Sequence, residues 1–291
     1  MNAAANAAPR ALRGRLDLCA INTATLGHRA PIATVIDQVA RAGFGAIAPW
    51  RREIEGADVQ AIARHIADAG LAVSGYCRST YFPAATVEGA RAAIEDNRRA
   101  LRDAATLNAA CFIMVVGSLP PGSRDLAGAR AQVSDGIGAL LEEARTLGVA
   151  LALEPLHPMY AGDRSCLTTL AEALDICDAL DPAGDGGIGV AVDCYHVWWD
   201  PALAASIARA GQGGRILAFH VCDWLVPTTD MLLDRGMMGD GVIDIAGMRA
   251  GVERAGFAGA VECEIFSAAN WWRREAKDTL SVCAERFQSV C

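Results

Sequence analysis

Val149-Ala-Leu-Ala-Leu-Glu154, Gly189-Val-Ala-Val-Asp193, Ile216-Leu-Ala-Phe-His220 and Ala260-Val-Glu-Cys-Glu264 share one pattern: a short apolar run that ends on a carboxylate or an imidazole. Runs of this length, rich in Val, Leu, Ile and Ala, predict β-strands buried on both faces. A charged side chain at the end of a buried strand is costly to leave unpaired, so four such endings call for a neutralising partner. One divalent cation held by Glu154, Asp193, His220 and Glu264 would supply it.

Working outward, short apolar runs alternate with longer amphipathic ones along the whole chain. Strands are expected at 16–22, 44–48, 71–76, 111–116, 149–154, 188–193, 216–221 and 260–265, with helices at about 31–42, 54–69, 87–107, 123–147, 165–180, 201–210, 245–255 and 271–288. Gly70 is read as closing the second helix and Ser165 as the N-cap of the fifth. Uninterrupted strand-helix units imply parallel strands, because each return path needs a helical crossover. Eight such strands close a single (β/α)8 TIM barrel of the α/β class, whose usual size is roughly 250 residues. An open doubly wound sheet is the alternative, but no G-x-G-x-x-G follows the first strand. Residues 1–15, Ala-rich with Arg10, Arg13 and Arg15, lack the apolar core of a signal peptide and are expected to be a disordered lead-in to a barrel domain over 16–291.

The chain has 291 residues, 53% of them hydrophobic, enough for a large core. Lys and Arg number 26 against 34 Asp and Glu, a net charge of −8, and no dense basic run is present. That balance argues against nucleic acid as the main partner. No run reaches the roughly 20 apolar residues of a membrane span. Ten scattered cysteines, none in C-x-x-C spacing, read as small buried thiols in a reducing, cytoplasmic compartment.

In a barrel, Glu154, Asp193, His220 and Glu264 fall at the C-terminal ends of strands five to eight, where barrel active sites form. A single buried His or Asp more often satisfies a hydrogen bond than binds metal. Four on adjacent strands favour a site. Leu153-Glu154-Pro155, Asp193-Cys-Tyr-His196, Phe219-His220-Val221, Gly239-Asp-Gly-Val-Ile-Asp244 and the run from Gly256 to Phe266 resemble the xylose isomerase-like TIM barrel superfamily, in particular its sugar phosphate isomerase/epimerase group. The resemblance covers nearly the whole chain after residue 15. It implies that Glu154, Asp193, His220 and Glu264 bind one divalent metal, with the oxygen-rich donor set favouring Mn²⁺ or Mg²⁺ and admitting Co²⁺ or Zn²⁺. Glu262 competes with Glu264 for the last position, and the family pattern of a Glu before Ile-Phe favours Glu264.

The resemblance further implies proton transfer next to a carbonyl through an enediolate, with Glu154 and Glu264 as catalytic base and acid. His196 and Arg235 match family residues that contact substrate oxygens. His157, beside Glu154, is expected either to touch substrate or to rigidify its loop. Trp50 and Trp224, each just after a strand, are expected to wall the pocket. Fourteen residues separate His220 from Arg235, a spacing longer than in the small epimerases, and so long a loop suggests a lid and a different or larger substrate, such as an oxidised sugar or a glycoside. The functional classes in view are therefore a sugar or keto-sugar isomerase/epimerase, a lyase on the same scaffold, and a non-catalytic sugar-binding barrel. An apurinic endonuclease is disfavoured, because that group needs a histidine-rich multi-metal site and the chain has five His. Homo-oligomerisation is common in the resembling family.

Overall fold

The computed structural model describes residues 9–291. The apolar runs form β1 Cys19–Asn22, β2 Ala46–Ala48, β3 Ala72–Val73, β4 Tyr76–Cys77, β5 Cys111–Met114, β6 Ala150–Leu153, β7 Ile188–Asp193, β8 Ile216–Val221 and β11 Val261–Cys263, while β9 Asp223–Trp224 and β10 Arg235–Gly236 make a small antiparallel hairpin. The parallel strands lie in the order β3-β2-β1-β11-β8-β7-β6-β5-β4. The two ends of this nine-stranded sheet, β3 and β4, are halves of the segment expected as one strand at 71–76. It divides at Ser74-Gly75, pairing first with β2 and then with β5. Parallel bridges from Val73 to Ala109 and from Trp50 to Cys77 join the halves across the gap, so the sheet curls into a TIM barrel.

Helices α1 Ile32–Arg41, α2 Arg51–Ile54, α3 Val59–Asp68, α4 Val87–Thr106, α5 Leu126–Leu147, α6 Leu170–Leu180, α7 Cys194–Val197, α8 Leu203–Gln212, α9 Ile245–Arg254 and α10 Ala276–Ser289 surround it. Three expectations are corrected. The helix expected at 54–69 is two, α2 and α3, because Gly56 takes a left-handed φ of 80° between them. The fifth helix starts at Leu170, where Thr169 and Glu172 form a reciprocal capping box. Ser165 is instead buried, its Oγ donating to the Leu167 carbonyl at 2.9 Å. The last helix begins at Ala276, after a separate 3₁₀ turn at Trp271–Arg273.

Of the expected disordered lead-in, residues 1–8 lie outside the described residues, but the part from Arg10 onward is held. Arg10 Nε donates to Glu253 Oε1 at 3.1 Å and its Nη1 to the Ala258 carbonyl at 2.8 Å, and Leu12 is buried in the core. No helix among the described residues is long and apolar enough to cross a membrane.

Alternation along each strand separates two packing regions. Phe112, Leu151, Leu153, Val190, Val192, Phe219 and Val261 face outward into the main core under the helices. Cys77, Cys111, Ile113, Ala152, Ala191 and Ala218 face inward and pack on one another inside the barrel. These inward side chains are mostly small, which leaves space for the long acidic ones that follow. Gly189 marks how tight the wall is: a Cβ there would stand 2.3 Å from the Arg215 carbonyl oxygen and 2.8 Å from Leu217 Cγ. Gly189→Ala is therefore expected to cost about 1–3 kcal/mol by overpacking, read as a lower midpoint in urea with an unchanged slope.

Candidate functional site

Period two carries the inward face of each strand to its C-terminal end. Glu154 lies two residues beyond Ala152, Asp193 two beyond Ala191, His220 two beyond Ala218 and Glu264 two beyond Glu262. All four end up inside the barrel mouth with exposures of 4%, 0%, 0% and 5%. One ligand-type atom from each lies within 4.8 Å of the others.

Neighbours orient this cluster on every side. His220 Nδ1 is 2.9 Å from Glu154 Oε1, and its Nε2 points at Glu262 Oε1, 3.6 Å away, with no closer hydrogen-bond partner. Burial opposes a charged imidazole, yet Glu262, Glu154 and Glu264 together hold the His220 pKa well above the usual histidine range. Burial pushes the Glu264 carboxyl up to about 8, against the pull of Arg235. Arg235 Nη1 reaches Asp193 Oδ2 at 3.1 Å and Glu264 Oε2 at 3.2 Å, and its guanidinium is stacked over Tyr195 and Phe266. The β9–β10 hairpin is what returns this arginine to the barrel mouth after the long excursion from His220.

Glu262 stands outside the group of four, one inward-facing position before Glu264 and level with His220 on the neighbouring strand. Asn22 Nδ2 donates to it at 2.9 Å and Ser74 Oγ at 2.7 Å. The same Asn22 nitrogen donates to Glu264 Oε1 at 3.0 Å, while Asn22 Oδ1 accepts from Trp50 Nε1 at 2.7 Å. Asn22, which ends β1, was missed in the sequence, although a lone carboxamide closing an apolar strand was its visible signal.

The donor set fits a divalent cation. Two ligands at right angles, each about 2.1 Å from an octahedral ion, stand about 3 Å apart, the spacing between Glu154 Oε1 and His220 Nδ1. Glu262, 3.6 Å from the other imidazole nitrogen, stands on the side from which a carboxylate orients a metal-binding histidine, although the two are not hydrogen-bonded.

Above the cluster opens a cavity of ≈ 340 Å³ lined by Glu154, Glu264, His196, Arg235 and Trp50, among others. Asp193 and His220 lie beneath it. His196 Nδ1 accepts from the His157 N–H at 3.2 Å, its Nε2 faces Arg235 Nη2 at 3.1 Å, and burial pushes its pKa down to about 3, so the ring is neutral. Two expected pocket residues do not line the cavity. His157 Nδ1 accepts from the Met159 N–H at 3.2 Å, capping the turn at Pro158–Tyr160, which is the loop-rigidifying alternative. Trp224 is turned by the hairpin into an aromatic column, 4.9 Å from the His157 ring and 4.8 Å from Tyr195. The wall is completed instead by residues the sequence did not single out, including Arg52, Arg78, Tyr160 and Arg164. Leu232 and Leu233 of the long loop also line it, held by Tyr160 and Tyr195 hydroxyls that both donate to the Met231 carbonyl, at 2.7 and 2.8 Å.

The model of the xylose isomerase-like TIM barrel family matches residues 36–284. This chain belongs to the xylose isomerase-like TIM barrel family. A solved protein of Sinorhizobium meliloti 1021, SMc04130, is 51% identical, with 95% of this chain and 99% of that one covered and a TM-score of 0.92. The IolI protein with a bound zinc atom shares the fold at 16% identity, 94% and 97% coverage and a TM-score of 0.77. D-psicose 3-epimerase, solved in the presence of D-fructose, shares it at 18% identity, 91% and 95% coverage and a TM-score of 0.70. A search of curated proteins found no match.

Two outcomes test the site of this xylose isomerase-like barrel. Arg235→Met strips Asp193 and Glu264 of their buried counter-charge and is expected to destabilise the metal-free protein by about 3–5 kcal/mol, with added Mn²⁺ restoring part of the loss in thermal denaturation. Glu262→Gln, which leaves the four-residue cluster intact, is expected to weaken Mn²⁺ binding about 10–100-fold in calorimetric titration.

Proposed function

We propose that this chain is a divalent-metal-dependent sugar or keto-sugar isomerase or epimerase that moves a proton next to a carbonyl through an enediolate. The observation that carries the reading is the convergence of Glu154, Asp193, His220 and Glu264 under a cavity into which only the two glutamates of the four are exposed. The oxygen-rich donor set favours Mn²⁺ or Mg²⁺. When bound, such a cation supplies Lewis-acid polarisation of the substrate carbonyl.

Glu154 follows β6 and Glu264 follows β11, and in the sheet β7 and β8 stand between them. The two carboxylates thus approach the cavity floor from opposite sides of a four-strand arc. One, ionised, takes the proton from the carbon beside the carbonyl, and the other, already protonated, delivers its own proton to the opposite face, which inverts that centre and exchanges the protonation states of the two carboxyls. Delivery to the neighbouring carbon instead gives an aldose–ketose isomer. His196 forms part of the cavity wall and positions the Arg235 guanidinium beside the substrate's oxygens, Trp50 packs against the apolar face of a sugar ring, and the loop bearing Leu232 and Leu233 excludes water. The sugar epimerase among the structural neighbours supports this class of substrate. Cysteines that are all unpaired among the described residues support a reducing, cytoplasmic setting.

The test is solvent-deuterium exchange by NMR over a panel of ketoses, inososes and 3-keto-glycosides, with Mn²⁺ and after chelation. Metal-dependent incorporation next to a carbonyl is expected, and Glu264→Gln should reduce it by about 10²–10⁴-fold. Full turnover in that variant with metal bound would contradict the assignment, and an unsaturated product in place of an isomer would move the protein to the lyases.

A further inference from the structure

Among the described residues, three arginines at the cavity mouth have no acidic partner. Arg52 on α2, Arg78 just after β4 and Arg164 in the loop after β6 all line the cavity. Many of the other arginines form ion pairs, including the adjacent Arg51, whose Nη1 is 2.9 Å from Asp96 Oδ2. Among the described residues, no Asp or Glu lies within 4.0 Å of the guanidinium of Arg52, Arg78 or Arg164. Acid is not scarce in this chain, which carries 34 Asp and Glu against 26 Lys and Arg. Three unneutralised guanidiniums around one cavity therefore require a reason.

Two of them are held in place without being neutralised. The Arg78 guanidinium lies 4.7 Å from the centre of the Tyr81 ring, with Nη1 donating to the Ser79 carbonyl at 3.2 Å and its other N–H groups unengaged by acid, and that of Arg164 lies 5.4 Å from the Tyr160 ring. An aromatic face positions a guanidinium but accepts none of its N–H bonds, leaving the planar edge available for a bidentate anion. The Tyr160 platform is itself fixed by its bond to the Met231 carbonyl. Two other basic side chains of the pocket are already engaged: Arg235 with Asp193 and Glu264, and His28 Nδ1 with Glu53 Oε1 at 2.7 Å. Polarity within the cavity is thus graded, with the carboxylates Glu154 and Glu264 at one end and free guanidiniums at the mouth.

We infer that the substrate is anionic: a keto-sugar bearing a carboxylate or phosphate at the end remote from its reacting carbonyl, with Arg78 and Arg164 gripping that group and Arg52 attracting it at the rim. The inference rests on the sugar isomerase or epimerase reading for the reacting end and adds the chemistry of the other. A neutral hexose would leave all three arginines without a partner.

The test uses three ketoses that differ only at carbon six: D-fructose, D-fructose 6-phosphate and D-fructuronate. Their affinities are measured by calorimetry on the full chain, metal-free and Mn²⁺-loaded, for the wild type, Arg78→Met and Arg164→Met. At least one anionic probe is expected to bind about tenfold or more tightly than fructose, and each substitution should remove about tenfold of that preference, read as the ratio of anionic-probe to fructose affinity in the same variant. The stronger of the two anionic probes identifies carboxylate or phosphate. Equal affinities for all three ketoses, no binding of any by folded protein, or an anion preference untouched by both substitutions would overturn the proposal. Anion-selective binding without solvent exchange at any position would refute the proton-transfer reading and leave the anion site standing.

Discussion

Four carboxylates, Glu154, Asp193, Glu262 and Glu264, are buried within one barrel mouth beside the imidazoles of His220 and His196, and their mutual repulsion is the constraint from which the rest of the architecture follows. Each ionised group costs several kcal/mol to bury unless it is paired. The chain meets this with Arg235, carried back by a hairpin built for little else, and with Asn22 and Ser74, which divide their donors between Glu262 and Glu264. Small interior residues such as Ala152, Ala191 and Ala218 give these side chains room to converge. What the protein groups leave unneutralised is the charge that a divalent cation would take up.

The barrel and the four-residue cluster were legible because both depend on periodicity. Alternation assigns each residue its face, and a polar group ending an apolar run is conspicuous in a linear sequence. Features created by contacts across the fold were not legible. Asn22 matters because Trp50, Glu262 and Glu264 meet around it, from segments far apart in sequence. His157 was expected either to touch substrate or to rigidify its loop, and its bond to the Met159 N–H is of the second kind; Trp224 was placed in the pocket because it follows a strand, but the β9–β10 hairpin sends it into an aromatic column instead. Ser165 has the composition of a helix cap, yet Thr169 wins that role because Glu172 can bond back to it. Arg78 and Arg164 look like ordinary surface arginines until the fold removes every acidic partner from their reach.

The long loop between β9 and β10 shows how irregular chain is made definite. Two tyrosine hydroxyls, from the segments after β6 and β7, converge on the carbonyl of Met231, and the Arg235 N–H bonds the Phe266 carbonyl at 2.9 Å. Asp223 accepts from Gly239 and Ile243 across the base of the hairpin. The loop that covers the cavity is therefore referenced to three neighbouring strand ends, so the lid, the acidic cluster and the arginine that balances it share one frame.

The divided third strand gives the barrel an uneven wall. Elsewhere adjoining strands share ladders of up to four paired residues, but β3 and β4 contribute only two residues each, on opposite sides of Ser74-Gly75. The ladders are interrupted in this sector, so its amides should be the first of the barrel strands to exchange with solvent. Ser74 also donates to Glu262, behind His220. Breathing of the wall at that seam would be felt at Glu262 and through it at His220, which makes the barrel's most interrupted hoop a mechanical neighbour of its most tightly specified charges.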